Sequence, residues 1–271
     1  MPRVRPRQFG IREHYDVMSE LDRDVHDDEP LARSEVSSTL RLMANVVPRS
    51  LLLPCCGTGR HAAQFLERGV ERLVGVDLSP ECLNKARQQV SKSRWPNAAH
   101  FIETDLRSWD TDEKFDAAAV LGNSFADVIE RDALREVTVG MVRLLRRGAF
   151  FIMDYIGRNY LDRCGHSSSW QVVFDGKRAT DCRTPRYDPV SQVMTIDVIV
   201  TDNETGRILW EGFYQKLVLM DAEVVAHFDG VGVDLRRVGV ATDLHPAYYA
   251  GHDPNALGMI ARSTWWVGIK R

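Results

Sequence analysis

Two short stretches, LLLPCCGTGRH at 51–61 and LVGVDLS at 73–79, carry the residue types best able to do chemistry. An apolar run that ends in Gly57-Thr58-Gly59 and enters a helix brings backbone amides up to a ligand. Glycine is needed where a side chain would collide with that ligand. Asp77 ends the next apolar run, twenty positions after Gly57. A carboxylate at that distance can accept hydrogen bonds from both hydroxyls of a ribose. Together these features specify a nucleoside-containing ligand and nothing finer. The blander reading of Asp77 is a turn residue leading into a helix, but its place at a strand end after a glycine turn favours ligand binding.

Residues further along offer more chemistry. Thr104-Asp105-Leu106 closes a third apolar run, and FDAAAVLGNSF at 115–125 contains Leu121 and Asn123 at the end of a fourth. Asn123 could equally cap a turn, and Arg60 and His61 could simply face solvent at a helix start. Groups able to move a proton or touch a substrate are Tyr15, Asp154, Tyr155, His245, Tyr248, Tyr249, His252 and Arg262. Of these, Tyr15 as a lid or substrate contact and His252 in the polar, aromatic loop HPAYYAGH are the first catalytic choices. Asp154-Tyr155 ends a strand on the carboxyl edge, where open α/β sheets bind ligands. Trp265-Trp266 reads as core packing.

The elements that must position these groups follow from the apolar pattern. Residues 11–27 and 31–46 show helical spacing, and the first fifty residues read as helical up to Pro48. Strands are expected at 50–53, 72–76, 99–103, 115–121 and 149–155. Helices are expected at 60–69, from Ser79-Pro80 onward, and at about 130–145. Unbroken apolar strands alternating with helices predict a parallel sheet covered on both faces. From about 169 to 219 strands follow one another without helices, with turns at Asp175-Gly176 and at DNETG 202–206. These are antiparallel hairpin signals. A short helix and two closing strands, DLRRVGVA and STWWVGI, complete the chain. The expected fold class is therefore α/β: a Rossmann-like, doubly wound, mostly parallel seven-stranded sheet. An antiparallel β insertion covers the site, and helices stand at the N-terminus. The expected division is 1–48 as an N-terminal helical lid, 49–157 with 220–271 as the main domain, and 158–219 as a cap.

The pattern Gly57-x-Gly59-x-x-Ala62 also satisfies the dinucleotide fingerprint. Against a dinucleotide stand the continuation Gly-Thr-Gly-Arg-His, the Thr104-Asp105-Leu106 strand end and the LGNSF turn. So does the position of the glycine turn, after some fifty residues of helical pattern. The series CGTGR, GVDLS, TDL, FDAAAVLGNSF and LLRRGAFFIMDY resembles that of class I S-adenosylmethionine-dependent methyltransferases, over roughly residues 50–157. The Tyr15-Asp16 pair, the GNSF turn and the late antiparallel strands are similar to the small-molecule branch of glycine, sarcosine and amino-sugar N-methyltransferases. The resemblance implies S-adenosyl-L-methionine as cofactor. It also implies a contact set of Cys56, Gly57, Gly59, Asp77, Leu78, Asp105, Leu106, Leu121 and Asn123. In that set Asp77 holds the ribose, Asp105 accepts from the adenine amino group, and Gly57 and Gly59 pass the methionine part. Members usually read D-x-G-x-G-x-G, whereas this chain has Leu53 and Cys55 at the first two of those positions. Cofactor binding without that acid, or help from another group, are both open, as is a copy that binds without turnover.

Composition narrows the substrate. The net charge is −3 over 271 residues, a poor match to a polyanionic nucleic acid, which needs a basic surface. The NPPY-type motif of amine-methylating DNA enzymes is absent. No apolar run approaches the roughly 20 residues of a membrane span, and the basic opening MPRVRPRQFG lacks a signal-peptide core. Cys55, Cys56, Cys82, Cys164 and Cys182 lack CxxC spacing, so we read reduced thiols in a cytoplasmic protein without a metal site. The expected partner is a small molecule, with neither nucleic acid nor membrane. An amine nitrogen is the first acceptor and a hydroxyl or carboxylate oxygen the second. A nicotinamide-dependent oxidoreductase is the runner-up on the same fold, although no YxxxK is visible.

Overall fold

The computed structural model describes residues 7–8, 12, 14–16, 29–245 and 263–271. Its centre is a seven-stranded sheet. Four of its strands are β2 (Ser50–Pro54), β3 (Arg72–Asp77), β4 (Ala99–Glu103) and β5 (Phe115–Val120). The other three are β6 (Leu145–Tyr155), β11 (Val233–Val240) and β12 (Thr264–Lys270). The order is β11-β12-β6-β5-β2-β3-β4. Pairing is parallel from β4 through to β6, and β12 runs antiparallel to both β6 and β11.

Side chains of a strand alternate between faces, and the β2 sequence uses this fully. Leu51 and Leu53 pack with Val36 of α1 (Glu29–Leu42), Met43 just past its end and Phe65 of α2 (Arg60–Glu67). Leu52, on the opposite face, belongs to the cluster of Leu134 and Met141 from α4 (Arg131–Arg143) and Phe228 from α5 (Asp221–Asp229). Between β3 and β4, α3 (Pro80–Ser91) is capped by Ser79, whose Oγ accepts from Cys82 N at 3.0 Å, with Pro80 at the first helical position. Trp265 and Trp266 are fully buried, one in each core.

The second sheet has the order β1-β10-β9-β8-β7. It joins β1 (Arg7–Gln8), β7 (Ser168–Phe174), β8 (Lys177–Asp188), β9 (Val193–Asp202) and β10 (Ile208–Leu217). Strands β7 to β10 are antiparallel neighbours. Strand β9 alternates buried and half-buried residues along its length, as a sheet with one covered face should. Tyr155 Oη at the end of β6 donates to Leu217 O at 2.5 Å and accepts from Leu219 N at 3.1 Å, tying the two sheets together.

Two local expectations differ from the structure. Arg7–Gln8 is not helical but pairs parallel with Gly212–Phe213 of β10. An open strand edge offers unpaired backbone groups that a short extended segment can use. Helix α1 also stops at Leu42 rather than running to 46, because Ala44 and Asn45 adopt left-handed backbone, φ 56° and 60°.

Candidate functional site

A cavity of about 410 Å³ opens at the carboxyl edge of β2, β3 and β4. Gly57, Asp77, Leu78, Asp105 and Leu106 from the expected contact set line it. Asp77 is held by two backbone amides: Oδ2 accepts from Gly57 N at 2.8 Å and Oδ1 from Ser79 N at 3.0 Å. Burial pushes its carboxyl up from the ordinary value, and those hydrogen bonds pull against it. The carboxylate therefore fixes the glycine turn while each oxygen keeps a lone pair for a ligand hydroxyl.

The two glycines do different work. Gly57 has φ +53°, and a Cβ there would meet nothing within 4 Å, so the turn leaves open space beside it. Gly59 has φ +78°, and a Cβ there would meet Ala86 Cβ at 2.7 Å. Gly59 thus lets the turn pack against α3. Cys55, in the place where the resembled series carries glycine, also has left-handed backbone, φ 52°, and lines the cavity. Leu53 is buried in the core, so an apolar contact stands where the series carries the acid.

Beyond β4, Asp105 is gripped by Arg107. Nε lies 2.9 Å and Nη2 2.5 Å from Oδ2, and the backbone N donates to Oδ1 at 2.9 Å. The Arg107 fork holds the Asp105 carboxyl below its ordinary value. Arg107 itself lines the cavity, and the sequence reading missed it. It also missed Gly140, in the middle of α4. A Cβ at Gly140 would overlap the carbonyl oxygen of Leu106. A glycine inside a helical pattern was the available signal. Gly140→Ala gains helix propensity but must push Leu106 off the cavity wall. We expect a net loss of about 1–3 kcal/mol of stability together with weaker nucleoside binding, read by chemical denaturation and calorimetry.

The opposite wall is built from distant parts of the chain. Asp127, in the turn of 3-10 helix Ser124–Asp127, pairs with Lys216 Nζ of β10 at 2.5 Å. Each of these side chains is only 5% exposed. Tyr15 Oη donates to the other oxygen of Asp127. Burial raises the Asp127 carboxyl, opposed by Lys216 and Tyr15, and burial keeps the Tyr15 phenol protonated well above its ordinary value. The Tyr214 ring stacks on His14 with centroids 4.3 Å apart. Asp16 accepts from Ser79 Oγ at 2.6 Å, and Arg12 reaches Glu103 at 2.9 Å. Arg12 and Asp16 are thereby fastened to the β4 and β3 ends of the cradle.

The remaining expected residues lie elsewhere. Cys56, Gly59, Leu121 and Asn123 do not line this cavity. Leu121 is buried core. Asn123 has φ 59°, donates from its backbone N to Asp154 Oδ1 at 2.9 Å, and accepts at its carbonyl from Lys216 Nζ at 3.2 Å. Tyr155 is the inter-sheet strut described above. His245 Nδ1 lies 3.1 Å from Ser34 Oγ, and its ring stands edge-on to Trp265. Tyr248, Tyr249, His252 and Arg262 lie outside the described residues.

Behind the glycine turn Glu35 of α1 meets Arg60 at 2.9 Å and His61 Nε2 at 2.7 Å. Burial alone would raise Glu35, but Arg60 and His61 outweigh it and hold the carboxyl at about 2. Asp154 is fully buried, and burial followed by the Glu35 charge pushes it up to about 7. A raised carboxyl contributes stability that is present below its unfolded value and is lost as pH rises through the folded one. Asp154→Asn keeps the acceptor for Asn123 N and removes the ionisation. Its melting temperature relative to the parent should therefore climb between about pH 4 and 7 and show no such trend below. A flat difference across that range would count against this account.

Comparison with known proteins bears on the same residues. Residues 52–148 match the methyltransferase domain family. The chain is 26% identical to a trans-aconitate 2-methyltransferase of Azoarcus sp. (strain BH72) over 207 residues, 73% of this chain and 74% of that one. Among solved structures it superposes on the sugar N-methyltransferase KedS8 from Streptoalloteichus sp ATCC 53650 with a TM-score of 0.69 and 20% identity, covering 100% and 98% of the two chains. It also superposes on CalS10 with bound S-adenosylmethionine, an amino pentose methyltransferase from Micromonospora echinaspora. There the TM-score is 0.66 and the identity 17%, over 98% and 99% of the chains. At these identities the superpositions speak for the fold. The cavity fits the nucleoside: a carboxylate preset by two backbone amides, apolar walls from Leu78 and Leu106, and open space beside Gly57. The chain carries a methyltransferase domain over residues 52–148 and is an S-adenosylmethionine-dependent methyltransferase.

Proposed function

We propose that the methyl acceptor is an amine nitrogen of a small molecule, bound where the glycine turn faces β10. The observation that carries this reading is the composition of that wall. It holds the Asp127 carboxylate, the Tyr15 phenol and the stacked rings of His14 and Tyr214. A phenol whose hydrogen is already committed to that carboxylate, and the aromatic faces beside it, favour a cationic or N–H-bearing ligand. The solved sugar and amino pentose methyltransferases support it by analogy of fold.

S-adenosylmethionine, when bound, supplies a methyl group on a sulfonium, which a nucleophile takes while the sulfur keeps the bonding pair. Asp77 would accept from the ribose hydroxyls, Leu78 and Leu106 would pack on the base, and Asp105 would accept from its amino group. The chain's main contribution is alignment of nucleophile and methyl group, the largest effect available to such a displacement. Arg12, His14 and Tyr15 close the site, and 158–219, which form most of the second sheet, cap it. A second reading is favoured by one observation, the trans-aconitate methyltransferase relative, and takes a carboxylate oxygen as acceptor. Arg12 and Arg107 at the cavity could hold the other carboxylates of such a polyacid.

The test is incubation with S-adenosylmethionine and a mixed panel of amines, alcohols and carboxylic acids, with products read by mass spectrometry. Methylated amines are expected. Methyl esters alone would replace the first reading with the second, and no product with any acceptor class would leave a binding protein.

A further inference from the structure

We propose that Tyr15 is a specificity-determining residue: its hydrogen bond to Asp127 fixes the phenol so that it presents only lone pairs to the cavity, selecting acceptors that bring an N–H and rejecting ionised carboxylates. The inference rests on the small-molecule amine reading above and deepens it. A phenol has one hydrogen to donate and two lone pairs with which to accept. Here the hydrogen is committed to a buried carboxylate oxygen. Asp127 cannot release it cheaply, because its other oxygen is taken by Lys216 and both partners are nearly sealed from water. Lys216 in turn is fixed by the backbone carbonyl of Asn123 at 3.2 Å. The polarity of the phenol is therefore set by Asp127, in the 3-10 helix after β5, and by Lys216, in β10 of the second sheet. Burial, which holds the phenol protonated, supports the same direction.

The Asp127–Lys216 pair carries no net charge, so the selection comes from the direction of one hydrogen bond rather than from a field. An ammonium or amine N–H finds an acceptor at Tyr15 Oη. A carboxylate finds lone pairs facing lone pairs. Sites built to pair with one hydrogen-bond pattern discriminate strongly against its opposite, because the mismatched buried group is left unpaired.

The experiment uses the full chain loaded with S-adenosylhomocysteine and three size-matched pairs as probes. These are benzylamine with benzoate, cyclohexylamine with cyclohexanecarboxylate, and glucosamine with glucuronate. Calorimetry gives the affinity ratio within each pair. The parent should favour the amine by about tenfold or more, one good hydrogen bond's worth. Asp127→Leu with Lys216→Met keeps the site neutral and frees the phenol hydrogen, so the carboxylate members should gain and the ratio should fall toward one. Tyr15→Phe should lose amine affinity without a gain for the carboxylates, and it carries the test if the double variant does not fold. A merely structural role would weaken both members equally and leave the ratio unchanged. A parent that shows no preference, prefers the carboxylates or binds neither member overturns the proposal, as does an unchanged ratio in the variants. Failure to load S-adenosylhomocysteine would instead strike at the cofactor assignment itself.

Discussion

Asp77→Ala is expected to weaken S-adenosylhomocysteine binding by about 100-fold. The figure follows from two hydrogen bonds to a charged acceptor at about 1.5–3 kcal/mol each, reduced by what water returns, with 1.4 kcal/mol per factor of ten. The loss has two parts. The ribose hydroxyls lose their acceptor, and the amides of Gly57 and Ser79 lose the oxygens that hold the turn. Asp77→Asn separates them poorly, because an amide nitrogen would face one of those N–H donors. Calorimetry with S-adenosylhomocysteine and NAD on both proteins is the check. Binding of the sulfur nucleoside that survives the substitution within a few-fold would remove Asp77 from the cofactor site. Tight NAD binding by the parent would move the site to dinucleotide chemistry.

The cradle was legible because its signals are local. A run of leucines, a glycine turn and an acid twenty residues on need only neighbours in sequence to be read, and β2, β3 and their connection lie where the pattern put them. The hairpins of the second sheet were legible for the same reason: alternation and turn residues mark them one at a time. The wall opposite the cradle was not legible. Lys216 sits in a strand whose polar residues look solvent-facing, yet it shares the buried side with Gly212 and Tyr214. A lysine on the apolar parity of a strand was the only hint. Asp127 and Tyr15, 112 positions apart in sequence, meet only through the packing of both sheets. Arg107 reads as a surface arginine until its fork on Asp105 is seen. Cys56, Leu121 and Asn123 came from the resemblance and Gly59 from the glycine turn itself, and geometry gives them work around the turn and strand end rather than on this cavity's wall.

Lys216→Met is expected to have the largest effect on stability of any single change in the site. Removing one partner of a buried ion pair leaves the other charge uncompensated, which costs about 3–5 kcal/mol. For a chain of this size that corresponds to a fall in melting temperature on the order of 10 °C. The deficit should depend on pH in a definite direction. Without Lys216 the Asp127 carboxyl rises further above its unfolded value. The variant then keeps its stability at low pH, where both states are protonated, and loses it as pH rises. Melting at pH 5 and pH 8 should therefore show the smaller deficit at pH 5. Adding Asp127→Leu removes the stranded charge, and apolar replacement of a whole buried pair is often close to neutral. The double variant should melt well above Lys216→Met alone. If the single and double variants melt together, or if the deficit is the same at both pH values, the pair is not the buried, mutually dependent unit that its 2.5 Å contact and near-complete burial describe.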